Sequence, residues 1–384
     1  MKESITDKLV KRSTFEGDNV PKLTRILYPW SGIFRDACYA LVGTFLLQYT
    51  ITSGVLSSDV ATYTSQMSVI TIAMMIALVW DGLNDPIMGF IIEKVHFKLG
   101  KFRPWILIGA IGNALVVALM FTVRPTGWGY VASMIVFYFL WDLFFTINDI
   151  GYWSMLPALT NDPKERTKLT TTVTIATTIG TFIMNIMMFL LPGMFASLST
   201  ASIYAATGII TAALFLISQA LVFFFCKEKK RDPKQEEVSS QTHFLDLFKI
   251  VGKNKQLLFV VIAMFLYYLA SGLLTGIGLN YFYMVFGYGG LKGGFVATML
   301  SVIYVFGTLA SQAFYPLMTK KLSKQRILMI STIVIVITYL VFLLVAFPIF
   351  KDTPLAFSDS SLATDVGSAL AFSLGGTMWM IYVP

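Results

Sequence analysis

Ten runs of apolar residues, each divided from the next by a polar or basic stretch, account for most of this chain: 30–53, 67–92, 104–123, 130–156, 172–195, 205–226, 257–286, 294–318, 327–349 and 367–384. A bilayer core about 30 Å thick is crossed by roughly 20 apolar residues in helical form. The runs are therefore read as spanning helices, the last of them stopping with the chain. Pro86, Pro192 and the glycines Gly272, Gly276 and Gly278 fall inside runs, where bends and close helix packing tolerate them. The connections are patterned too. The N-terminal tail and the even-numbered connections hold 25 of the 29 Lys and Arg residues, whereas the odd-numbered ones hold Arg124, Lys292 and Lys351. Positive charge stays on the cytoplasmic side, which predicts a multi-pass protein of the cell (inner) membrane with a cytoplasmic N-terminus.

The longest connection carries the charge run KEKKRDPKQEE and then HFLDLFKIVG, an amphipathic piece suited to the inner membrane face. It divides the chain into a tail (1–29), a six-helix bundle (30–226), a central loop (227–256) and a second bundle (257–384) of four runs. Six plus six is the count of a two-half transporter. The expectation is thus an all-α membrane protein of 12 helices of which about 10 are present, the last two lost by truncation or in a shortened product.

Composition agrees, with 56% hydrophobic and 13% charged residues, against about 25% charged in soluble domains. The net charge of +8 lies in short loops rather than on an aromatic-interleaved basic surface, so no nucleic-acid partner is expected. Cys38 and Cys226 are isolated, and His96 and His243 lie in loops. Neither a metal motif, a cofactor site nor a catalytic constellation is visible, and an enzyme is not expected. The polar, basic first 29 residues hold no apolar core of the kind a cleavable signal peptide needs.

Candidate chemistry centres on residues 80–105, WDGLNDPIMGFIIEKVHFKLGKFRPW. Asp81 and Asp85 are four apart and share a helix face, with Asn84 beside them. A carboxylate in a spanning helix costs roughly 3 kcal/mol on insertion scales, so two on one face need a purpose, and holding a cation is the main hypothesis. The first run adds Arg35 and Asp36; the fourth adds Asp142 and Asp149, seven apart, with Thr146 between them on nearly the same side. At about 1.5 Å per residue Asp36 lies roughly 10 Å from the cytoplasmic end, Asp85 and Asp149 about 12 Å and Asp81 about 18 Å, one common layer. Na⁺ would take oxygens from Asp81 and Asp85 with Asn84 or Thr146. H⁺ coupling would require one of the same carboxylates to bind and release a proton. A sugar needs carboxylate acceptors and an aromatic plane, which Asp36, Asp149 and Trp153 supply in type. Competing structural readings are that Asp36 only neutralises Arg35, that Asp85 pairs with Lys101 or Arg103, and that Asp142 has no role in binding. Trp153 could equally be packing, and Glu93, His96 and the KEKKR run are read as solvated.

DGLNDPIMGF followed by GKFRPWILIG, the block TINDIGYWSMLPALTNDPKERTKL and the Arg35-Asp36 pair resemble the glycoside–pentoside–hexuronide:cation symporters, the melibiose permease branch of the major facilitator superfamily. The resemblance implies a twelve-helix bundle with alternating access. It makes Asp81 and Asp85 the cation carboxylates, with Asn84 and Thr146 contributing, and Na⁺, H⁺ or Li⁺ the coupling ion. It makes Asp36 and Asp149 the sugar-hydroxyl acceptors, Arg35 their support in place of a Lys, and Trp153 the stacking aromatic. The chain departs from that pattern at Thr174, where the family has an Arg, at Phe145 for a Tyr and at Asp142 for a small residue; Trp379 is only near the tenth-helix Trp. The expected function is cation-coupled uptake of a glycoside, pentoside or hexuronide by a monomer in the bilayer. The alternative is a non-transporting sugar sensor or an inactive truncated paralogue.

Overall fold

A computed structural model describes residues 14–17, 19–95, 97, 99–195, 197–229, 252–266 and 322–346, with single positions at 269, 302, 306, 307, 310 and 318. The helices are α1 (Lys22–Thr52), α2 (Val60–Lys94), α3 (Arg103–Thr122), α4 (Trp128–Leu159), α5 (Pro163–Met194), α6 (Thr200–Phe225), α7 (Lys255–Leu266) and α8 (Lys324–Ala346). Two short strands, β1 (Thr14–Phe15) and β2 (Glu228–Lys229), pair in parallel. The runs at 294–318 and 367–384, and the amphipathic piece after the charge run, lie almost wholly outside the described residues. Helices α2 to α6 are each long and apolar enough to cross a membrane.

Helices α2 and α5 begin well before their apolar runs, for a common reason. In α2 the hydroxyls of Thr64, Ser65, Ser68 and Thr71 donate to carbonyls one turn back, at 2.8–3.0 Å. In α5 those of Thr167, Thr170, Thr171 and Thr172 do the same. Side chains that satisfy themselves on their own helix extend it without apolar character. Asp59 caps α2, accepting from the backbone N–H and the hydroxyl of Thr62, which together hold its carboxyl below the usual carboxylate range.

The contacts divide the chain into two compact units, Met1–Thr181 with Leu198–Ile262 and Phe182–Ser197 with Ala263–Pro384. In the first, α3 packs on α4 and α6, α1 on α6, and α2 on α4. Small residues allow the closest approaches. A Cβ on Gly109 would lie 2.5 Å from the Asn148 backbone nitrogen, and one on Gly180 would strike the Ile33 carbonyl. Buried amides join neighbours: Asn148 donates to the Ile106 carbonyl (2.7 Å) and Asn113 to that of Trp141 (3.3 Å). Tyr28 and Tyr152 stack at 4.6 Å, and each hydroxyl donates to the other's carbonyl. In the second unit α8 turns Ile327, Ser331 and Ile335 inward at four-residue steps.

The basic inner loop contradicts one expectation. Glu228, from the run read as solvated, is 7% exposed, and its carboxylate accepts the backbone N–H groups of Lys101 (2.8 Å), Phe102 (3.0 Å) and Arg103 (2.8 Å). The residue preceding α3, Phe102, has no capping side chain of its own; Glu228 supplies the anion that a helix N-terminus attracts, from the far end of α6. Gly100 has φ +117, and a Cβ there would lie 2.7 Å from Glu228 Oε1, so only glycine fits. Lys101 pairs with Glu93 at 2.6 Å, which ties the end of α2 to the same loop. His96 lies outside the described residues. Replacing Glu228 by Ala should destabilise the purified protein by about 2–3 kcal/mol, with Glu228→Gln intermediate. Thermal unfolding in detergent measures this, and equal midpoints for parent and Glu228→Ala would show that the cap contributes nothing.

Candidate functional site

The site is built on the middle of α1, where Arg35 is buried at 3% exposure. Its Nε donates to Asp36 Oδ1 (2.9 Å) and its Nη1 to Asp149 Oδ1 (2.8 Å), so one planar fork joins α1 to α4. The guanidinium also sits over the rings of Tyr152 (4.6 Å), Trp153 (5.4 Å) and Phe145 (5.8 Å), all on α4. Arg35 uses Oδ1 of each acid, which leaves Oδ2 of each to accept from a ligand. Both acids are partly open, with 21% and 35% of their side chains exposed, and Trp153 is exposed as well. Asp36 is thus not the sole partner of Arg35, and Trp153 is not buried packing.

Along α4, Asp142, Thr146, Asp149 and Trp153 follow at steps of four, three and four, a single stripe. Its upper half meets α2. Asp81 interacts with Asp142 and Thr146, and Asp85 with Thr146. Asp149 lies near enough for its charge to act on both. The fold therefore brings acids of α1, α2 and α4 together, as the common depth predicted. At the inner end of α2, Lys101 pairs with Glu93, and the Arg103 guanidinium donates to the Phe223 carbonyl. Asn84 is buried, and its Nδ2 has no hydrogen-bond partner.

Among the described residues no three His, Cys, Asp or Glu side chains gather as a metal-ion cluster. A cation here would draw on neutral oxygens such as the Thr146 hydroxyl in addition to carboxylates, a hard-oxygen donor set. The hydroxyl of Thr174, at the departure on the fifth helix, donates to the Thr170 carbonyl of its own helix. Trp379 lies outside the described residues. Two residues of this layer escaped the sequence reading. Tyr39 interacts electrostatically with Asp81, Asp149, Asp36 and Asp142, and Tyr138 with Asp142 and Asp81. Both sit four residues from a charged group already in hand, Arg35 and Asp142, and that helical spacing was the available signal.

The chain matches the MFS/sugar transport protein family over residues 38–382. The raffinose carrier protein of Pediococcus pentosaceus is 26% identical over 314 residues, 78% of this chain and 47% of the relative. The inner membrane symporter YicJ of Escherichia coli (strain K12) is 25% identical over 160 residues, 41% of this chain and 35% of that protein. The chain spans about half the length, or less, of these curated relatives. Among solved structures, the inward-open xylose transporter XylE from E. coli superposes with a TM-score of 0.51 at 14% identity, covering 92% of this chain and 79% of the other. At that identity the likeness is one of fold.

Removing Arg35 leaves two acids facing each other without their cation. Arg35→Leu should cost on the order of 3 kcal/mol of stability, and adding Asp36→Asn with Asp149→Asn to it should recover part of the loss. Thermal midpoints of the single and triple variants test this; a triple variant less stable than Arg35→Leu would contradict the charge-balance account.

Proposed function

The chain belongs to the MFS/sugar transport protein family, the glycoside–pentoside–hexuronide:cation symporters with the fold of the major facilitator superfamily, and from that membership we propose that it carries a glycoside, pentoside or hexuronide into the cell together with a monovalent cation. The family is one of transporters, not enzymes. One observation supports the reading most: the stripe on α4 has a sugar-like pole and a cation-like pole. At the first, Asp149 and Asp36 present acceptor oxygens beside the open face of Trp153. At the second, Thr146 faces Asp81 and Asp85.

In this mechanism Arg35 fixes Asp36 and Asp149 so that their remaining oxygens accept sugar hydroxyls, while Trp153 stacks on the apolar face of the ring. The cation is held by Asp81 and Asp85, with Thr146 and Asn84 contributing neutral oxygens. Because both ligands lie against α4, each favours the same arrangement of that helix, and each raises the other's affinity by the same factor. The cation is Na⁺, H⁺ or Li⁺. The protein works as a monomer in the cell membrane, its N-terminus cytoplasmic by the distribution of basic residues.

Asp81→Asn and Asp85→Asn should each abolish cation-driven sugar accumulation in vesicles of the full protein while leaving sugar binding in place. Trp153→Ala should weaken sugar binding by about tenfold at most and leave the cation response intact. Uptake stimulated by Na⁺ or H⁺ to the same extent in both Asn variants as in the parent would overturn the reading.

A further inference from the structure

The layer holds more acid than base. Among the described residues, Asp36, Asp81, Asp85, Asp142 and Asp149 share it, and Arg35 is bonded to Asp36 and Asp149. Among the described residues Asp81, Asp85 and Asp142 meet no basic side chain, an arrangement a membrane interior disfavours unless a cation arrives from outside. Asp142 is the most enclosed of the three, 9% exposed, and its Oδ2 is buried without any hydrogen-bond partner. Its carboxyl group faces Asp81 across the junction of α2 and α4 and interacts electrostatically with Asp85. Thr146 lies one turn further along the same face of α4 and contacts both acids of α2. Tyr39 and Tyr138 interact electrostatically with Asp81 and Asp142.

We propose that Asp142 is a further ligand of the coupling cation, so that the ion sits between α2 and α4, held by Asp81 and Asp142 from opposite sides with the Thr146 hydroxyl. The unpartnered Oδ2 is the atom that points to an absent ligand, since a carboxylate oxygen hidden from water and from every donor is costly unless something completes it. With Asp81 it gives the ion two carboxylates, one from each helix, and ligand charge count tunes affinity for hard cations. It also makes cation arrival a direct bond between two helices. The inference deepens the proposed function and rests on it.

The test uses Na⁺ as the probe and two readouts on the full protein: the rise in thermal midpoint as Na⁺ replaces choline, and the Na⁺ concentration giving half-maximal sugar uptake. Asp142→Asn should raise the half-maximal Na⁺ concentration by about tenfold or more and shrink the Na⁺-induced thermal shift, with sugar binding at saturating Na⁺ preserved. Asp142→Glu, which keeps the charge but lengthens the arm, should retain the thermal shift and alter the ratio of Na⁺ to Li⁺ activation. If Asp81→Asn abolishes the Na⁺ response while Asp142→Asn leaves both readouts at parental values, Asp142 is no ligand and the proposed function stands. If Asp81→Asn and Asp85→Asn also leave the Na⁺ response intact, the proposed function itself fails and this inference with it. Should Asp142→Asn not yield folded protein, an Asp142→Glu variant with unchanged thermal shift and unchanged Na⁺ to Li⁺ ratio overturns the proposal.

Discussion

Charge that cannot reach water governs this molecule. Arg35 is buried in the middle of a helix, and its position is set by the two acids it bonds, one adjacent in sequence and one on α4. A guanidinium is suited to this because its donors form a rigid fork that can serve two carboxylates at once, and because it stacks on aromatic rings while doing so. The rings of Tyr152, Trp153 and Phe145 around it are therefore part of the ion pair's environment and not separate packing. The acids of α2 have no such partner, and their position beside Thr146 and Asp142 ties the fate of α2 to that of α4.

The scaffold around this layer is held by contacts that leave little slack. Glycine lets α3 approach α4 and α5 approach α1 to backbone distance, while Asn113 and Asn148 donate across the α3–α4 seam. Helix α2 is held differently. Few of its side chains are buried, and its polar anchors lie at its ends: Asp59 at one, and at the other Glu93, joined through Lys101 to the loop that Glu228 caps. Met88 and Ile92 of α2 share one buried cluster with Ile147 and Met155 of α4, and its acids meet α4 at Asp142 and Thr146. That is the structural basis on which a cation and a sugar sharing α4 would influence each other.

The departures from the melibiose permease pattern fall on this same surface. Phe145 lies over Arg35 without a hydroxyl to offer, and Thr174 turns its hydroxyl back to its own helix. Asp142 adds an acid beside Asp81. Relative to that pattern, the proposed sugar pole thus has fewer donors and the proposed cation pole one more acceptor.

A membrane-embedded helical bundle was legible from the apolar runs alone, because a continuous run of about 20 such residues has no other stable form in lipid. That acids of three helices lie at one depth was legible too, because helical rise converts residue number into height. Helix starts were less legible: the Ser- and Thr-rich first turns of α2 and α5 are polar in sequence yet satisfy their hydroxyls on their own backbone. Which acids meet a base was left to packing, since Arg35 could have neutralised Asp36 alone and instead also reaches Asp149. The folded chain alone revealed Glu228 as a buried cap, because the carboxylate and the helix end it serves are more than a hundred residues apart and no local pattern joins them. Partners that lie far apart along the chain are chosen by packing, and packing is not written in the spacing of any one segment.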